Sequence, residues 1–269
     1  MKIGNQEFDT SAHTYVMGIL NMTPDSFSDG GKWNQTDAAL RHVQQMIAEG
    51  ADVIDVGGES TRPGYKTVSD EEEIARVVPI IEKMKSEFPV PVSLDTYKSA
   101  VAAAGIQAGA DMINDIWGLR HDAGMAALIA KNRVACCLMH NRKEAAGTEF
   151  MEMLLSELGE SVRIAENAGI ARERILLDPG VGFGKTYEQN LHVIHDMEKL
   201  HMFGYPLLLG ASRKSVVGLT LDLPVEERME GTLVTTVFAV MKHYSFVRVH
   251  DVKEHVRAIR MAEAVRDCV

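Results

Sequence analysis

The chain has 269 residues, 46% of them hydrophobic and 25% charged, with a formal net charge of −10. This length suits one large domain or two small ones, and the composition excludes a disordered chain. The acidic balance argues against binding nucleic acid or an anionic membrane, so any anionic ligand has to be held by a local basic cluster.

The three cysteines, Cys136, Cys137 and Cys268, show neither a disulfide framework nor metal-ligand spacing. The opening MKIGNQEFDT lacks an apolar leader core, and no run reaches membrane-spanning length. The expected setting is therefore soluble and cytoplasmic.

Eight short apolar runs read as strands: Tyr15–Leu20, Asp52–Val56, Pro91–Leu94, Asp111–Ile113, Val134–Met139, Arg174–Leu177, Pro206–Leu209 and Phe246–Val249. Several are continuous rather than alternating, as strands buried on both faces should be. Between and after them the spacing predicts helices over Thr36–Glu49, Ser69–Glu87, Tyr97–Ala108, Ala123–Lys131, Glu149–Ala168, Tyr187–Leu200, Val225–Tyr244 and Val252–Val265. Ser69 with Glu72 suggests a capping box. Eight strand–helix units without a linker predict an α/β fold, a single (β/α)8 TIM barrel spanning 1–269, with its active site at the C-terminal ends of the strands. A doubly wound open sheet is the alternative.

Polar residues follow every run. Asn21 and the loop to Gly31 come first, then Gly57–Gly64, Asp95-Thr96, Asn114-Asp115, His140-Asn141-Arg142, Asp178, Ser212-Arg213-Lys214, and Arg248 with His250-Asp251. A barrel brings all of these to one mouth. Asp95, Asn114 and Asp178 suit a ring with several N–H donors, such as an aminopyrimidinone edge, or else they cap strand ends. Arg62, Lys214, Arg248 and His250 suit a phosphate or diphosphate, or else form surface ion pairs. Asn21 offers a neutral oxygen to a Mg²⁺ bound mainly through substrate. The two glycine-containing loops read as covers over the mouth, or as ordinary polar turns. GFGKT is not a nucleotide loop, because Pro179 stands where that pattern needs glycine. His121, His192, His195 and His201 read as helix or loop residues. The apolar Leu233–Met241 helix is either core or a dimer face.

The segments MGILNMTPDSFSDGG (17–31), DVGGESTRPG (55–64), SLDTYK (93–98), INDIWG (113–118), MHNR (139–142), LDPGVGFGKT (177–186), GASRKS (210–215) and RVHDV (248–252) resemble those of the bacterial dihydropteroate synthases. Met22 and Ala211 stand where that family usually has valine and threonine. The resemblance implies a folate-pathway transferase that joins 6-hydroxymethyl-7,8-dihydropterin diphosphate to 4-aminobenzoate, uses Mg²⁺ and forms homodimers. It places Asp95, Asn114, Ile116, Met139, Asp178 and Lys214 around the pterin, and Asn21, Arg62, Arg248 and His250 around the diphosphate, with Asn21 acting through the metal. It places Thr61, Pro63, Phe183 and Ser212 around the aminobenzoate, with Phe27 and Asp29 closing over it. Asp95, Lys214, Arg248 and His250 would be catalytic. A related barrel that moves a methyl group from a folate to a corrinoid, or one that only binds pterin, is the alternative.

Overall fold

The computed structural model describes residues 1–23, 32–60, 67–145, 147 and 149–268, leaving aside the side chains of 32–35. The chain opens with an antiparallel ribbon of β1 (Lys2–Ile3) and β2 (Gln6–Glu7). Eight parallel strands follow: β3 (Tyr15–Asn21), β4 (Val53–Gly57), β5 (Val92–Asp95), β6 (Met112–Asp115), β7 (Ala135–Met139), β8 (Ile175–Asp178), β9 (Leu208–Leu209) and β10 (Phe246–Val249). Their order, β8-β7-β6-β5-β4-β3-β10-β9, keeps each strand beside its chain neighbours. A parallel bridge between Leu177 and Leu207 joins the two ends. The sheet is thus a closed barrel and not a doubly wound open sheet.

The helices are α1 (Lys32–Glu49), α2 (Asp70–Glu87), α3 (Ser99–Ala108), α4 (Met125–Asn132), α5 (Phe150–Asn167), α6 (Tyr187–His195), α7 (Ser215–Leu221), α8 (Met229–Met241) and α9 (Val252–Arg266). Ser69 caps α2 by accepting from the Glu72 N–H, and a full reciprocal box stands at Thr186 and Gln189 before α6. Two expected helices are shorter than their spacing suggested. The stretch after His195 continues as a 3₁₀ run over Met197–Phe203. The stretch Val225–Tyr244 breaks at Arg228, whose side chain leaves the helix line to donate to Leu223 O and Arg213 O.

The continuous apolar strands serve two cores. Outward residues such as Val56, Leu94, Ile113, Leu138 and Leu177 pack under the helices. Inward residues Met17, Val53, Met112, Ala135, Leu176, Leu208 and Phe246 fill the lower barrel. Alternation explains the paired cysteines as well: Cys136 faces the helices and Cys137 the barrel interior, so neighbours in sequence are separated by the sheet.

The N-terminal ribbon seals the barrel floor with Ile3 and Phe8. The Phe8 ring meets Tyr15 edge-on at 4.9 Å and Phe246 at 5.4 Å. Phe8→Ala is expected to cost about 3–5 kcal/mol of stability, read as a fall in the urea midpoint with unchanged slope. A smaller loss would mean that the ribbon is not part of the cooperative core.

Candidate active site

Toward the C-terminal ends of the strands, the inward positions turn polar. Asp55, Asn114, Asp178 and Arg248 come from β4, β6, β8 and β10, every second strand, as one layer of a barrel interior requires. Arg248 Nε donates to Asp55 Oδ2 at 2.6 Å, and its Nη2 donates to Asp95 Oδ2 at 2.8 Å. Asn114 Nδ2 also donates to Asp55 Oδ2, at 3.1 Å. Asp55 is wholly buried and Asp95 nearly so.

One guanidinium therefore faces two carboxylates. Burial would lower the Arg248 pKa, but the charges of Asp55 and Asp95 outweigh it and keep the group protonated. Burial pushes Asp95 up to about 7, with Arg248 opposing and the charge of Asp55 adding to the rise. Among the described residues Asp55 Oδ1, Asp95 Oδ1 and Ser93 Oγ are buried without a hydrogen-bond partner. The sequence reading assigned Arg248 and Asp95 to different ligand groups and passed over Asp55. A lone carboxylate in an apolar strand was the available signal, because such a group is costly to bury unless paired.

A second group gathers at β8 and the loop after β9. Asp178 Oδ1 accepts from the Gly180 N–H at 2.7 Å. Asp178 Oδ2 lies over Gly210, where a Cβ would stand 3.4 Å from that oxygen and 3.7 Å from Lys214 Nζ. The turn thus caps one Asp178 oxygen, as the capping reading expects. Lys214 Nζ donates to Val181 O and sits 4.6 Å from the centre of the Phe183 ring. Burial lowers Lys214 to about 8 although Asp178 and Asp95 favour its charge, and burial raises Asp178 against the pull of Lys214 and the Gly180 amide. Tyr97, Ile116 and Met139 form an apolar wall, with Trp117 and Phe183 packed on it.

A third group stands at the rim. Ser212 Oγ accepts from the His250 backbone N–H at 3.2 Å and lies 2.9 Å from His250 Nδ1. A hydroxyl that donates to Nδ1 leaves Nε2 as the ring's N–H. A Cβ on Gly57 would lie 3.8 Å from Asn21 Oδ1 and 3.7 Å from Asp95 Cβ, so these two side chains flank the bare glycine. Arg213 turns away, onto Asp251.

Arg62, Thr61, Pro63, Phe27 and Asp29, with most of the first predicted cover and half of the second, lie outside the described residues. The described flanks of the second loop are fastened by residues that the sequence did not single out. Glu59 Oε2 accepts from Val68 N–H at 2.9 Å and from Lys98 Nζ at 2.7 Å. Lys98 also donates to Val68 O and Glu73 Oε2, both at 2.8 Å, and Tyr97 OH donates to Glu59 Oε1 at 2.8 Å. Among the described residues no three His, Cys, Asp or Glu side chains converge as a metal cage, and no helix is long and apolar enough to cross a membrane.

Comparison with known proteins gives the arrangement a family. A profile described as Pterin binding enzyme matches residues 17–250. The chain is 58% identical over 266 residues to the dihydropteroate synthase of Clostridium beijerinckii, covering 98% of this chain and 99% of that one. It is 52% identical over 252 residues to that of Bacillus subtilis, covering 94% and 88%. A solved dihydropteroate synthase from Clostridium difficile, in the presence of pteroic acid, superposes with a TM-score of 0.94 at 47% identity, covering 96% of this chain and 99% of that one. The Yersinia pestis enzyme in a sulfonamide drug complex gives 0.93 at 42% identity, covering 99% of each chain.

The charge cluster has a measurable consequence. Asp95 titrates at about 7 in the folded protein, above the 3.8 of an ordinary aspartate. Its contribution to stability is therefore full below that lower value and is lost as pH rises through about 7. Asp55→Asn removes a like charge and leaves Arg248 to Asp95 alone, so the Asp95 midpoint is expected to fall in a carboxyl ¹³C titration. An unmoved midpoint would mean that the two acids are not coupled.

Proposed function

The chain belongs to the pterin binding enzyme family, and on that premise we propose that its barrel mouth joins 6-hydroxymethyl-7,8-dihydropterin diphosphate to 4-aminobenzoate, yielding 7,8-dihydropteroate and diphosphate. It is a transferase of folate biosynthesis. The observation that carries the assignment is the junction of two chemistries in one mouth. Carboxylates, an asparagine and Lys214 fit the polar edge of a pterin, and Arg248 and His250 beside them fit a diphosphate. A methyl-transferring barrel needs the first set and not the second.

Each role follows from what a side chain has left to offer. Asp178 has one oxygen engaged by Gly180 and presents the other to ring N–H groups. Asn114 spends its N–H on Asp55, which leaves its carbonyl oxygen as a ring acceptor. Lys214 supplies a donor to the ring's oxygen, and Ile116 and Met139 pack against the ring face. Arg248 keeps Nη1 for the diphosphate, where His250 and Arg62 join it.

Asn21 Oδ1, beside Gly57 and Asp95, is the neutral oxygen a rim-bound Mg²⁺ would use, and the absence of a three-ligand protein cage among the described residues fits a cation carried mainly by substrate and water. When bound, Mg²⁺ draws charge from the leaving diphosphate.

The bond from the pterin methylene to the diphosphate oxygen breaks, and its electron pair leaves with the diphosphate. Arg248 and His250 take up that charge. The positive charge left on the methylene spreads into the ring, opposite the Asp95 carboxylate. The amine nitrogen of 4-aminobenzoate, held by Phe183 and Ser212 with Thr61, Pro63, Phe27 and Asp29, then forms the new C–N bond and sheds its proton to water. A neutral aryl amine is nucleophilic enough to need no strong base.

Two copies are proposed to pair through α7 and α8. Leu219, Leu221, Val234, Val237, Phe238 and Met241 lie there together, each more than a third exposed. The cytoplasm is the proposed compartment, in keeping with three thiols and no disulfide.

Purified protein given the dihydropterin diphosphate and Mg²⁺ is expected to release diphosphate in step with dihydropteroate, in a manner dependent on 4-aminobenzoate. Asp178→Asn should weaken pterin binding in calorimetry by at least about tenfold, since a buried donor edge loses its charged acceptor. Unchanged binding would remove Asp178 from the site. Phe238→Glu should convert a dimer to a monomer in sedimentation velocity, and a wild-type monomer would refute the paired face.

A further inference from the structure

Lys185 is a half-buried lysine whose Nζ makes no salt bridge among the described residues; the withdrawal of that end from water lowers it to about 7, against the charges of Asp178 and Glu157, which favour the ammonium. Its Nζ donates to the carbonyl oxygens of Gly180 at 2.7 Å and Phe183 at 3.0 Å, and faces His140 Nδ1 at 2.9 Å. His140 O lies farther, at 3.4 Å. His140 is wholly buried, and its Nε2 stands 3.1 Å from Glu157 Oε2. Burial and the neighbouring charges of Lys185, Arg120 and Arg142 hold the ring neutral. The ring therefore donates from Nε2 to Glu157 and accepts at Nδ1 from the ammonium. Glu157 is fixed in turn by Arg120, whose other nitrogen holds Asn141 O at 2.8 Å.

Drawing the carbonyls of residues 180 and 183 to one point closes the turn after β8. The turn is pressed from behind as well: a Cβ at Gly180 would strike His140 O, and one at Gly184 would strike Arg142 O. Both glycines hold positive φ, 70° and 55°. Every group that the turn presents to the mouth starts from this closed ring. The Gly180 N–H fixes Asp178, Val181 O fixes Lys214 Nζ, and the Phe183 ring lies against both Lys214 and the Tyr97–Ile116–Met139 wall.

We propose that Lys185 is a positioning residue: its caged ammonium sets Phe183 and Lys214 against the two ring-shaped substrates and acts through them without touching either. The assignment rests on the reaction proposed above. An ammonium held by carbonyls suits this task because its removal leaves several acceptors unsatisfied together, which lets the turn relax.

The test separates charge from bulk and the clamp from the reaction. Lys185→Ala deletes a propylammonium fragment. Its kcat/KM for 4-aminobenzoate is expected to fall about 10- to 100-fold, as misplacement of binding groups does, chiefly through KM. Added n-propylammonium should restore it, and 1-propanol should not. Lys185→Met keeps the bulk without the charge, and is expected to stay folded by circular dichroism and to lose a similar factor. A second readout needs no substrate: in a Trp33→Phe background Trp117 is the only remaining tryptophan. Its emission should shift in Lys185→Met as Phe183 leaves the shared cluster.

Rescue by 1-propanol equal to that by the amine would overturn the proposal. So would a Lys185→Met with unchanged KM and emission, or one that does not fold. If Lys185→Ala alone fails to fold, Lys185→Met decides. A wild-type chain that makes no dihydropteroate, yet shows the Trp117 shift in Lys185→Met, would fault the reaction and leave the clamp standing.

Discussion

Arg248 places a full positive charge inside a β-barrel, and the upper half of the molecule is arranged around that fact. Removing one partner from a buried ion pair typically costs about 3–5 kcal/mol, because the charge left behind has lost both water and its counter-ion. Here the counter-ions come from β4 and β5, and Asn114 from β6 braces the one on β4. Four strands are thus tied at one level by polar contacts rather than by apolar packing. Below that level the interior is an apolar plug sealed by Ile3 and Phe8. Above it, Gly57 and Gly210 leave out the side chains that would fill the mouth.

This division puts the cost of the site where a ligand can offset it. Two carboxylates share one guanidinium, and three buried oxygens lack a partner among the described residues. Each such group costs about 1–3 kcal/mol. A ring rich in N–H donors is the kind of molecule that removes part of this penalty on binding. The same burial that raises the Asp95 and Asp178 carboxyls lowers the Lys214 ammonium, so the three approach one another in proton affinity. Such convergence marks sites where desolvation and charge act together. The layout is consistent with chemistry that separates charge, a leaving diphosphate on one side and an electron-poor methylene on the other.

Around this centre, two lysines hold backbone in place. Lys98 fastens the flanks of the loop after β4 through Glu59, Glu73 and Val68 O, and Lys185 closes the turn after β8 through carbonyl oxygens and His140. Each ammonium bonds at least one backbone carbonyl, Lys98 beside two carboxylates and Lys185 beside the His140 ring. Barrel strands are rigid and their loops are not. A site assembled from loop residues therefore depends on such fastenings for its geometry.

The sequence by itself determined the barrel. Its eight strands and most of its helices were legible within a few residues, because apolar runs and 3.6-residue spacing are local signals. It also carried the strand-end polar residues, from Asn21 to His250, since each sits directly after its run. The ribbon at residues 2–7 and the seven-residue α7 escaped notice, being too short to show a period. What only the tertiary structure decided is which residues meet. Asp55 and Arg248 are 193 positions apart, and nothing local in either strand says that one holds the other. His140, Glu157 and Lys185 come from three separate segments, and nothing local in any of them says that they meet. Spacing along the chain reports which way a side chain faces, but ion pairs depend on closing the barrel, which is a property of the whole sheet.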